Sequence, residues 1–374
     1  MNKKSKKQKQ NNQLPFVSIC TPTFNRRPFY EMTIQCFNHQ TYPKERMEWI
    51  IIDDGTDKIE DLVKDIPQVK YFKYDVKMSL GKKRNLMHEK SKGDFIIYMD
   101  DDDYYPPERI SHAVETLQKN PQALVAGSSE MYIYFKHISK MYKFGPYGPN
   151  HATAATFAFR REYLKHSQYD DTAALAEEKH FLKNYTTPFV QLESMKTILV
   201  FSHVHNSFDK KKLIEEQGPN PFVNISEKKV EDFVKNPEII KFFMTDIDNL
   251  LDKYEPGKPE NKPDVLKQMN EITEKRKKMI EEHQKQQGIQ LVPITPEIIN
   301  QLQNQGAPKE LIEQFIKNGV VPINKSPPTP PPPSHENQIL QQYETRFSIQ
   351  QKLIQDLIKE NRDLKEKIEY LEKR

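Results

Sequence analysis

Hydrophobic and polar positions follow two different patterns along the chain. Between residue 16 and about residue 203, short apolar runs rich in β-branched and aromatic residues alternate with stretches of helical periodicity. Such short runs are typical of buried strands. The pattern predicts strands at 16–21, 48–53, 69–74 and 95–100, and helices at 28–40, 80–90 and 107–119.

The alternation of strands and helices predicts a mainly parallel sheet that helices cover on both faces. Two later apolar runs, at 123–134 and 196–202, are expected to extend this sheet and to add an antiparallel element. We therefore predict an α/β domain over residues 15–212.

Helical periodicity replaces the alternation beyond this domain. Apolar residues between 230 and 251 recur at helical spacing, and residues 264–287 predict a long charged helix with a thin apolar stripe. Residues 298–302 and 311–316 are expected to pair as a small helical hairpin. We predict an α-helical extension over 213–325, followed by a stiff proline-rich linker at 326–335.

The last segment, 336–374, fits a heptad pattern. Because a segment behind a proline spacer has no globular face to pack on, the pattern favours a C-terminal coiled coil over a surface helix. The lone Asn361 at an a position favours a parallel homodimer, while Leu353 and Ile358 beside the seam leave a trimer possible. The a positions are Leu340, Phe347, Ile354, Asn361 and Ile368, and the d positions are Tyr343, Gln350, Leu357, Leu364 and Leu371.

Composition narrows the classes of function. Hydrophobic residues are 36% and charged residues 29% of the chain, and the net charge of +4 is not localised enough to indicate nucleic-acid binding. No apolar segment approaches the ~20 residues of a membrane span. Residues 1–14 predict a basic disordered tail, not a secretory signal. Cys20 and Cys36 fit small buried positions, so we expect a reducing, cytoplasmic compartment.

Four consecutive aspartates, Asp100, Asp101, Asp102 and Asp103, carry the clearest chemical signal. They stand at the end of a predicted strand, and ligands of open α/β sheets bind beyond the carboxyl ends of strands. Adjacent carboxylates repel one another unless a cation holds them. Oxygen ligands on a loop suit Mg²⁺ or Mn²⁺ together with substrate phosphates. A solvated acidic turn is the alternative.

Polar motifs occur at other predicted element ends. Arg84, near the start of the 80–90 helix, can meet a diphosphate, and an exposed Asp can recognise a base edge. The sequence has neither a dinucleotide fingerprint nor a Walker loop, so a metal would chiefly hold the phosphates. The motifs are Thr21-Pro22-Thr23-Phe24-Asn25-Arg26, Asp53-Asp54-Gly55-Thr56-Asp57 and Gly81-Lys82-Lys83-Arg84-Asn85.

In order and spacing, these motifs and the aspartate run resemble the family-2 glycosyltransferases of the GT-A fold, over roughly residues 16–208. Residues 98–107 also resemble glycosyltransferases of large DNA viruses. The resemblance implies a Rossmann-like GT-A domain. It further implies metal-dependent transfer of a sugar from a nucleotide-diphosphate sugar, with a UDP-sugar favoured, to an acceptor hydroxyl with inversion.

The resemblance also assigns roles at the donor site. Pro22, Thr23 and Phe24 are expected to line the base pocket, Asp54 to recognise the uracil or other base, and Arg84 to contact the donor.

The metal is expected beside the aspartate run. By the same resemblance, Asp100 or Asp101 contacts the ribose and Asp102 ligates Mn²⁺ or Mg²⁺. His203 or His205 would complete the metal or diphosphate shell, although a structural histidine at a strand end is the alternative.

The catalytic base is expected in the acidic pair Glu177 and Glu178. Glu178 aligns best with the position where the family usually has Asp, and Asp170 and Asp171 are reserve candidates. An acidic first turn that the helix dipole favours is the alternative.

Two rival functions remain open at this stage. A nucleotidyltransferase would need a Gly-rich loop with a basic residue after the first strand, and residues 21–26 do not supply one. A non-catalytic scaffold or virion protein would act through the coiled coil and would not turn over sugar nucleotides. Loops such as 144–155 are expected to determine whether the acceptor is a glycan or a protein. The sequence of that loop contains no motif that identifies the acceptor.

Overall fold

A seven-stranded mixed sheet forms the centre of the computed structural model. Its strands are β1 (Val17–Thr23), β2 (Met47–Asp53), β3 (Val69–Lys73), β4 (Phe95–Tyr98), β5 (Val125–Gly127), β8 (Ala158–Arg160) and β9 (Phe189–Gln191). Their order is β3-β2-β1-β4-β8-β5-β9, and β8 is antiparallel to both of its neighbours. The first four strands run parallel. The predicted α/β class, with a mixed sheet, is confirmed.

The structure describes residues 14–206, 210–215, 220, 222–286, 289–304, 312–313, 315–316 and 319–324. The chain divides into two units, 1–273 and 274–374. The predicted coiled coil at 336–374, the linker at 326–335 and nearly all of the tail at 1–14 lie outside the described residues. The α-helices of the described residues are Tyr30–Asn38, Glu60–Val63, Leu80–Lys90, Arg109–Lys119, Glu178–Phe181, Lys212–Glu215, Val230–Phe233, Pro237–Lys241, Ile247–Asp252, Pro263–Gln286 and Pro296–Asn304.

Both faces of the first sheet are buried, because successive residues of a strand point to opposite sides. Ile19, Trp49 and Ile97 belong to one hydrophobic cluster, whereas Cys20 and Ile50 belong to the cluster on the other face. This explains why the strands are near-continuous apolar runs. Cys20 is a free, buried thiol, in agreement with its predicted position in a strand.

A second sheet corrects one expectation from the sequence. Its strands are β6 (Met131–Phe135), β7 (Lys140–Phe144), β10 (Leu199–Ser202) and β11 (Val223–Ile225), in the order β10-β6-β7-β11. The runs at 123–134 and 196–202 were both expected to extend the first sheet, but only β5 joins it.

The chain leaves the first sheet after β5. The backbone N–H groups that follow β5 donate to side-chain oxygens and not to the carbonyl oxygens of a neighbouring strand. The backbone N–H of Ser128 donates to Thr156 Oγ1 at 2.9 Å, and that of Ser129 donates to Gln191 Oε1 at 2.8 Å. The following strand, β6, then pairs with β10 instead.

The second unit contains a strand pair that the sequence pattern did not predict. β12 (Ile289–Pro293) and β13 (Val320–Asn324) pair antiparallel, with the Pro296–Asn304 helix between them in sequence. That helix agrees with the first helix of the expected hairpin, while the second, at 311–316, lies partly outside the described residues. Within the described part of the chain, no helix combines the length and apolarity needed to cross a membrane.

Candidate active site

The carboxyl ends of β1, β2 and β4 lie side by side, so the segments that follow these strands meet at one edge of the sheet. A cavity of about 150 Å³ lies at this edge. Among the residues predicted for the donor site, those that line it are Pro22, Phe24, Asp100, Asp101 and Asp102. The structure therefore brings together the first motif and the aspartate run.

The aspartates after β4 pair with two buried arginines. Arg26 Nε lies 3.6 Å from Asp101 Oδ1, and Arg26 Nη2 lies 3.3 Å from Asp102 Oδ2. Arg84 Nη1 lies 3.7 Å from Asp100 Oδ1. The arginines offset part of the negative charge. The run is thus held inside the protein and is not a solvated acidic turn.

The pKa values of these aspartates differ. Burial raises the pKa of Asp100, and it raises the pKa of Asp101 to about 7. Burial acts on Asp102 as well, but Arg26 and His203 outweigh it and hold the pKa of Asp102 well below its usual range. Asp102 is therefore the carboxylate that stays ionised most readily, as a cation ligand must.

His203 lies next to Asp102, whereas His205 does not. His203 Nε2 is 3.3 Å from Asp102 Oδ2 and 2.7 Å from Asn206 Nδ2. Burial lowers the pKa of His203 to about 3, so its ring is the neutral form that ligates metals. The ring of His205 packs near Tyr254, with centroids 6.3 Å apart. Of the two predicted histidines, the geometry therefore favours His203.

Three buried carboxylate oxygens of the run accept no hydrogen bond from any residue that the structure describes. They are Asp100 Oδ1, Asp101 Oδ2 and Asp103 Oδ1. Buried polar atoms are normally paired, and an unpaired one costs stability. The run thus offers acceptor oxygens to a polar or cationic ligand.

Asp54, predicted to recognise the base, is engaged by protein groups. Its Oδ1 lies 2.8 Å from Lys83 Nζ, and its Oδ2 accepts a hydrogen bond from the Met78 backbone N–H at 2.6 Å. Lys83 also donates to the carbonyl oxygen of Thr23 at 3.3 Å. Met78 and Lys83 line the cavity, and Asp54 and Thr23 do not. Asp54 therefore positions the residues that face the cavity, and its role toward a base stays a prediction.

Arg84, predicted to contact the donor, links two acidic groups instead of lining the cavity. Its guanidinium lies 4.5 Å from the centre of the Tyr98 ring, and its Nε donates to Glu177 Oε1 at 2.8 Å. Because Arg84 also pairs with Asp100, it connects the aspartate run to the acidic pair. Arg84 Nη1 has no hydrogen-bond partner among the described residues, and the role of this side chain toward a diphosphate stays a prediction.

The two members of the acidic pair differ in environment. Glu177 is buried in its ion pair with Arg84. The Glu178 carboxylate is half-buried, and it accepts a hydrogen bond from its own backbone N–H. Burial, together with the negative charge of Glu177, raises the pKa of Glu178 to about 7. A carboxylate of that pKa is suited to accept a proton near neutral pH.

Close backbone contact joins the loop before this pair to the Leu80–Lys90 helix. A Cβ atom on Gly81 would lie 2.0 Å from the carbonyl oxygen of Asp170, so only glycine fits at this position. Asp170 Oδ1 accepts hydrogen bonds from Thr172, and Asp171 Oδ1 accepts one from Asn85 Nδ2 at 2.7 Å. The reserve candidates Asp170 and Asp171 thus hold the loop, and neither lines the cavity.

A segment far along the chain completes the cavity, and no motif in the sequence marks this segment as part of a site. Lys262, Asp264 and Val265 line the cavity, and Lys262 is buried. Burial, reinforced by the positive charge of Arg26, lowers the pKa of Lys262 to about 6.

Three contacts fix this segment beside the strand ends. Tyr254 Oη donates to Asp57 Oδ2 at 2.8 Å, and Asn25 Nδ2 donates to the carbonyl oxygen of Pro256 at 2.9 Å. Gln268 Oε1 accepts the backbone N–H of Ala174 at 2.8 Å.

Residues 18–176 match the protein-family model described as Glycosyl transferase family 2. Over this segment, which is less than half of the chain, the protein is similar to the family 2 glycosyltransferases. The predicted resemblance to this family is confirmed for the domain, while the resemblance to viral enzymes stays a prediction. The matched segment ends directly before the acidic pair, so Glu177, Glu178 and His203 lie outside it.

Known relatives overlap this glycosyltransferase domain. An uncharacterized glycosyltransferase from Haemophilus influenzae is 28% identical over 120 residues, which cover 31% of this chain and 47% of that protein. The GalNAc(5)-diNAcBac-PP-undecaprenol beta-1,3-glucosyltransferase of Campylobacter jejuni is 30% identical over 112 residues, 28% of this chain and 34% of that protein. The chain thus spans less than half the length of the curated relatives it matches.

Solved structures of glycosyltransferases also overlap the chain in part. The crystal structure of S. aureus TarS in complex with UDP-GlcNAc is 17% identical, with a TM-score of 0.39, over 50% of this chain and 59% of that chain. The mannosyltransferase PcManGT from Pyrobaculum calidifontis, in complex with GDP-Man and Mn²⁺, is 12% identical, with a TM-score of 0.41, over 56% of this chain and 67% of that chain.

Proposed function

We propose that the chain is an inverting glycosyltransferase that moves a sugar from a nucleotide-diphosphate sugar, with a UDP-sugar favoured, to an acceptor hydroxyl. The observation that carries the proposal is an ionised Asp102 beside His203, together with a half-buried Glu178 of raised pKa that directly follows the segment similar to family 2. Asp102 and His203 are suited to bind a cation that holds the departing diphosphate. Glu178 is suited to accept the proton of the attacking hydroxyl.

A divalent cation fits the donor atoms beside the cavity. Asp102 Oδ2 and His203 Nε2 lie 3.3 Å apart, and oxygen and imidazole ligands are both acceptable to Mn²⁺. Within the described residues, no three His, Cys, Asp or Glu side chains are grouped to hold a metal by themselves. Few protein ligands are typical of Mg²⁺ or Mn²⁺ sites that substrate phosphates complete. Mn²⁺ or Mg²⁺ bound there would neutralise the negative charge that develops on the departing nucleotide diphosphate.

Residues that line the cavity can bind the base, the ribose and the diphosphate of the donor. Phe24 and Met78 offer apolar surface to a base, and Asp101 and Asp100 offer carboxylate oxygens to ribose hydroxyls. Lys262, on the same cavity wall, suits the diphosphate. The cavity volume of about 150 Å³ is below the ≈ 300–1,000 Å³ typical of ligand sites.

Glu178 supplies the proton acceptor. In its ionised form, the carboxylate takes the proton of the acceptor hydroxyl while that oxygen bonds to the anomeric carbon. The bond from this carbon to the diphosphate oxygen breaks on the opposite face, so one displacement inverts the configuration. Glu177 remains paired with Arg84, and its negative charge keeps the pKa of Glu178 close to neutral pH.

A screen of nucleotide diphosphates and sugar nucleotides with Mn²⁺ tests the donor half of the proposal. A ligand at 100 times its Kd stabilises the folded chain by about 2.7 kcal/mol, which raises the melting temperature by several degrees. We expect UDP-sugars to give this shift only in the presence of the cation.

Asp102→Ala is the matching variant. It should keep the fold but lose the Mn²⁺-dependent shift and the release of UDP from a UDP-sugar, because the ionised ligand is gone. Asp65→Ala, a change of the same type at an exposed position, should leave both unaltered. Retention of turnover in Asp102→Ala would overturn the metal assignment.

A further inference from the structure

A row of four aromatic rings includes Tyr185, which lies seven positions after Glu178 in the sequence. The ring centroids of His151 and Tyr185 are 5.0 Å apart, those of Tyr147 and His151 are 5.0 Å apart, and those of Tyr147 and Phe222 are 5.3 Å apart. Tyr147 is 41% exposed and Phe222 43% exposed, whereas the other two rings are half-buried. We call this set of rings the aromatic row. Such exposure of neighbouring large rings marks a binding surface.

The chain connects the proposed reaction centre to the row over a short stretch of sequence. Ala174 and Leu175 line the donor cavity, and the chain passes from them through the acidic pair into the Glu178–Phe181 helix. Tyr185 follows this helix after one turn. The negative charge of Glu178 adds to burial in raising the pKa of Tyr185, as expected for groups that lie near each other.

The backbone that carries Tyr185 is strained. Lys183, Asn184 and Tyr185 have φ values of 51°, 54° and 63°, in the left-handed region that side chains rarely adopt in succession. The turn is held because the Asn184 N–H donates to the carbonyl oxygen of Lys179 at 2.9 Å. Strain that the surroundings maintain is typical of functional segments.

The opposite end of the row is held by a single side chain. Gln191 Nε2 donates to the carbonyl oxygens of Pro149 and His151, both at 2.9 Å, and more weakly to that of Gly148 at 3.4 Å. The Gly145 N–H donates to the Phe222 carbonyl oxygen at 2.8 Å. The loop that presents Tyr147 and His151 is therefore fixed before any ligand binds, which reduces the entropic cost of binding.

We propose that the aromatic row is the binding subsite for the acceptor, and that the acceptor is a sugar ring of a glycan. This inference rests on the proposed function. The rings offer apolar faces to the C–H face of a pyranose, and their polar edges offer hydrogen bonds to its hydroxyls. The nearby Glu178 would receive the proton of the hydroxyl presented by that sugar.

The polar edges favour a sugar over a hydrocarbon. His151 Nδ1 is buried and has no hydrogen-bond partner among the described residues, so a purely apolar occupant would leave it unpaired. Tyr147 and Tyr185 each add a hydroxyl. A pyranose supplies both a flat apolar face for the rings and hydroxyl groups for their polar edges.

The test uses the full chain with Mn²⁺ and UDP-glucose, UDP-galactose or UDP-GlcNAc as donors. Acceptor probes are lactose, N,N′-diacetylchitobiose, a Ser/Thr-containing peptide and farnesol. We expect transfer to a disaccharide probe. Tyr185→Ala and Tyr147→Ala should each raise the KM for that disaccharide about tenfold, the effect of losing one ring face.

Two readouts separate binding at the row from general damage. Release of UDP in the absence of acceptor, and the KM for the donor, should be unchanged in both alanine variants. Tyr185→Phe keeps the ring and should stay within about twofold of the unaltered chain.

The failures are distinguishable. If the chain releases UDP but neither alanine variant changes the KM for the acceptor, the aromatic row is not the acceptor subsite. Transfer to the peptide or to farnesol but to neither disaccharide would overturn the sugar assignment. A chain that neither binds nor hydrolyses any of the three donors would overturn the proposed function itself, and this inference with it.

Discussion

Glu178→Gln separates the contribution of this carboxylate to catalysis from its cost to the fold. Burial, together with the charge of Glu177, raises the pKa of Glu178 from 4.5 to about 7. The folded chain therefore holds the proton more tightly than the unfolded chain does. The resulting loss of stability is absent below about pH 4.5, grows between about pH 4.5 and 7, and is complete above about pH 7.

The expected gain in stability follows from this difference. A pKa raised by that amount corresponds to about 3 kcal/mol at pH 8, and solvent near the half-buried carboxylate reduces the figure to roughly 1–3 kcal/mol. Glutamine has nearly the same shape but no charge, so it removes this cost. We expect Glu178→Gln to unfold at higher urea concentration than the unaltered chain at pH 8, with only about a quarter of that gain at pH 5.

Catalysis should change in the opposite direction. The amide accepts no proton, so turnover should fall by about 10²–10⁴-fold while donor binding persists. In the unaltered chain, kcat/KM should rise with pH to a plateau, with an apparent pKa near that of Glu178. Donor binding, turnover and urea unfolding measured on the same preparation give all three results.

Glu177→Gln is the matched control, because it removes the charged partner of a buried arginine. It should destabilise the chain at both pH values by about 3 kcal/mol. The reasoning fails if Glu178→Gln gains no stability at pH 8 or keeps its turnover. If Glu177→Gln is instead the stable but inactive variant, the roles within the pair are reversed.

Three further predictions concern other parts of the chain. Lys262→Met should raise the KM for the donor about tenfold and should stabilise the ligand-free chain at pH 7, because burial opposes the charging of this amine. Lys253→Met, at an exposed position of the preceding helical region, should do neither. Lys183→Gly should raise the free energy of unfolding by about 0.5–1 kcal/mol because glycine adopts the left-handed region without strain, whereas Lys179→Gly, inside the neighbouring helix, should lower it by about the same amount. A chain truncated before Pro327 should sediment as a monomer, and a peptide of residues 336–374 as a dimer; a monomeric peptide or a dimeric truncated chain would contradict the assembly prediction.

The strand ends could be predicted from the sequence because the signals there are local. A short β-branched run followed by acidic residues identifies both the strand and its functional end, and the parallel topology then brings β1 and β4 side by side. Asp102 and Phe24 reach the same cavity for this reason. The acidic pair was also visible, since two consecutive glutamates before a helix need no tertiary information.

The remaining parts of the cavity depend on contacts between distant segments. Asn25 and Pro256 are separated by 231 positions, and nothing in the sequence around Lys262 marks it as a cavity residue. Periodicity also could not assign β6 and β10 to a second sheet, because an apolar strand has the same pattern in either sheet. The backbone after β5 donates hydrogen bonds to Thr156 Oγ1 and Gln191 Oε1, and both of these oxygens belong to distant segments of the sequence.

Arg84 explains how the donor and acceptor halves of the site can act together. It pairs with Asp100, on the proposed donor side, and with Glu177, on the proposed acceptor side. By satisfying Glu177, it makes that carboxylate a fixed negative charge beside its neighbour Glu178. Burial and this fixed charge raise the pKa of Glu178 toward neutral pH, while the positive charge of Arg84 offsets part of the rise. Two adjacent carboxylates of identical chemistry thereby acquire different tasks, one structural and one suited to proton transfer, and the arginine that divides them is anchored to the same aspartate run that faces the donor cavity.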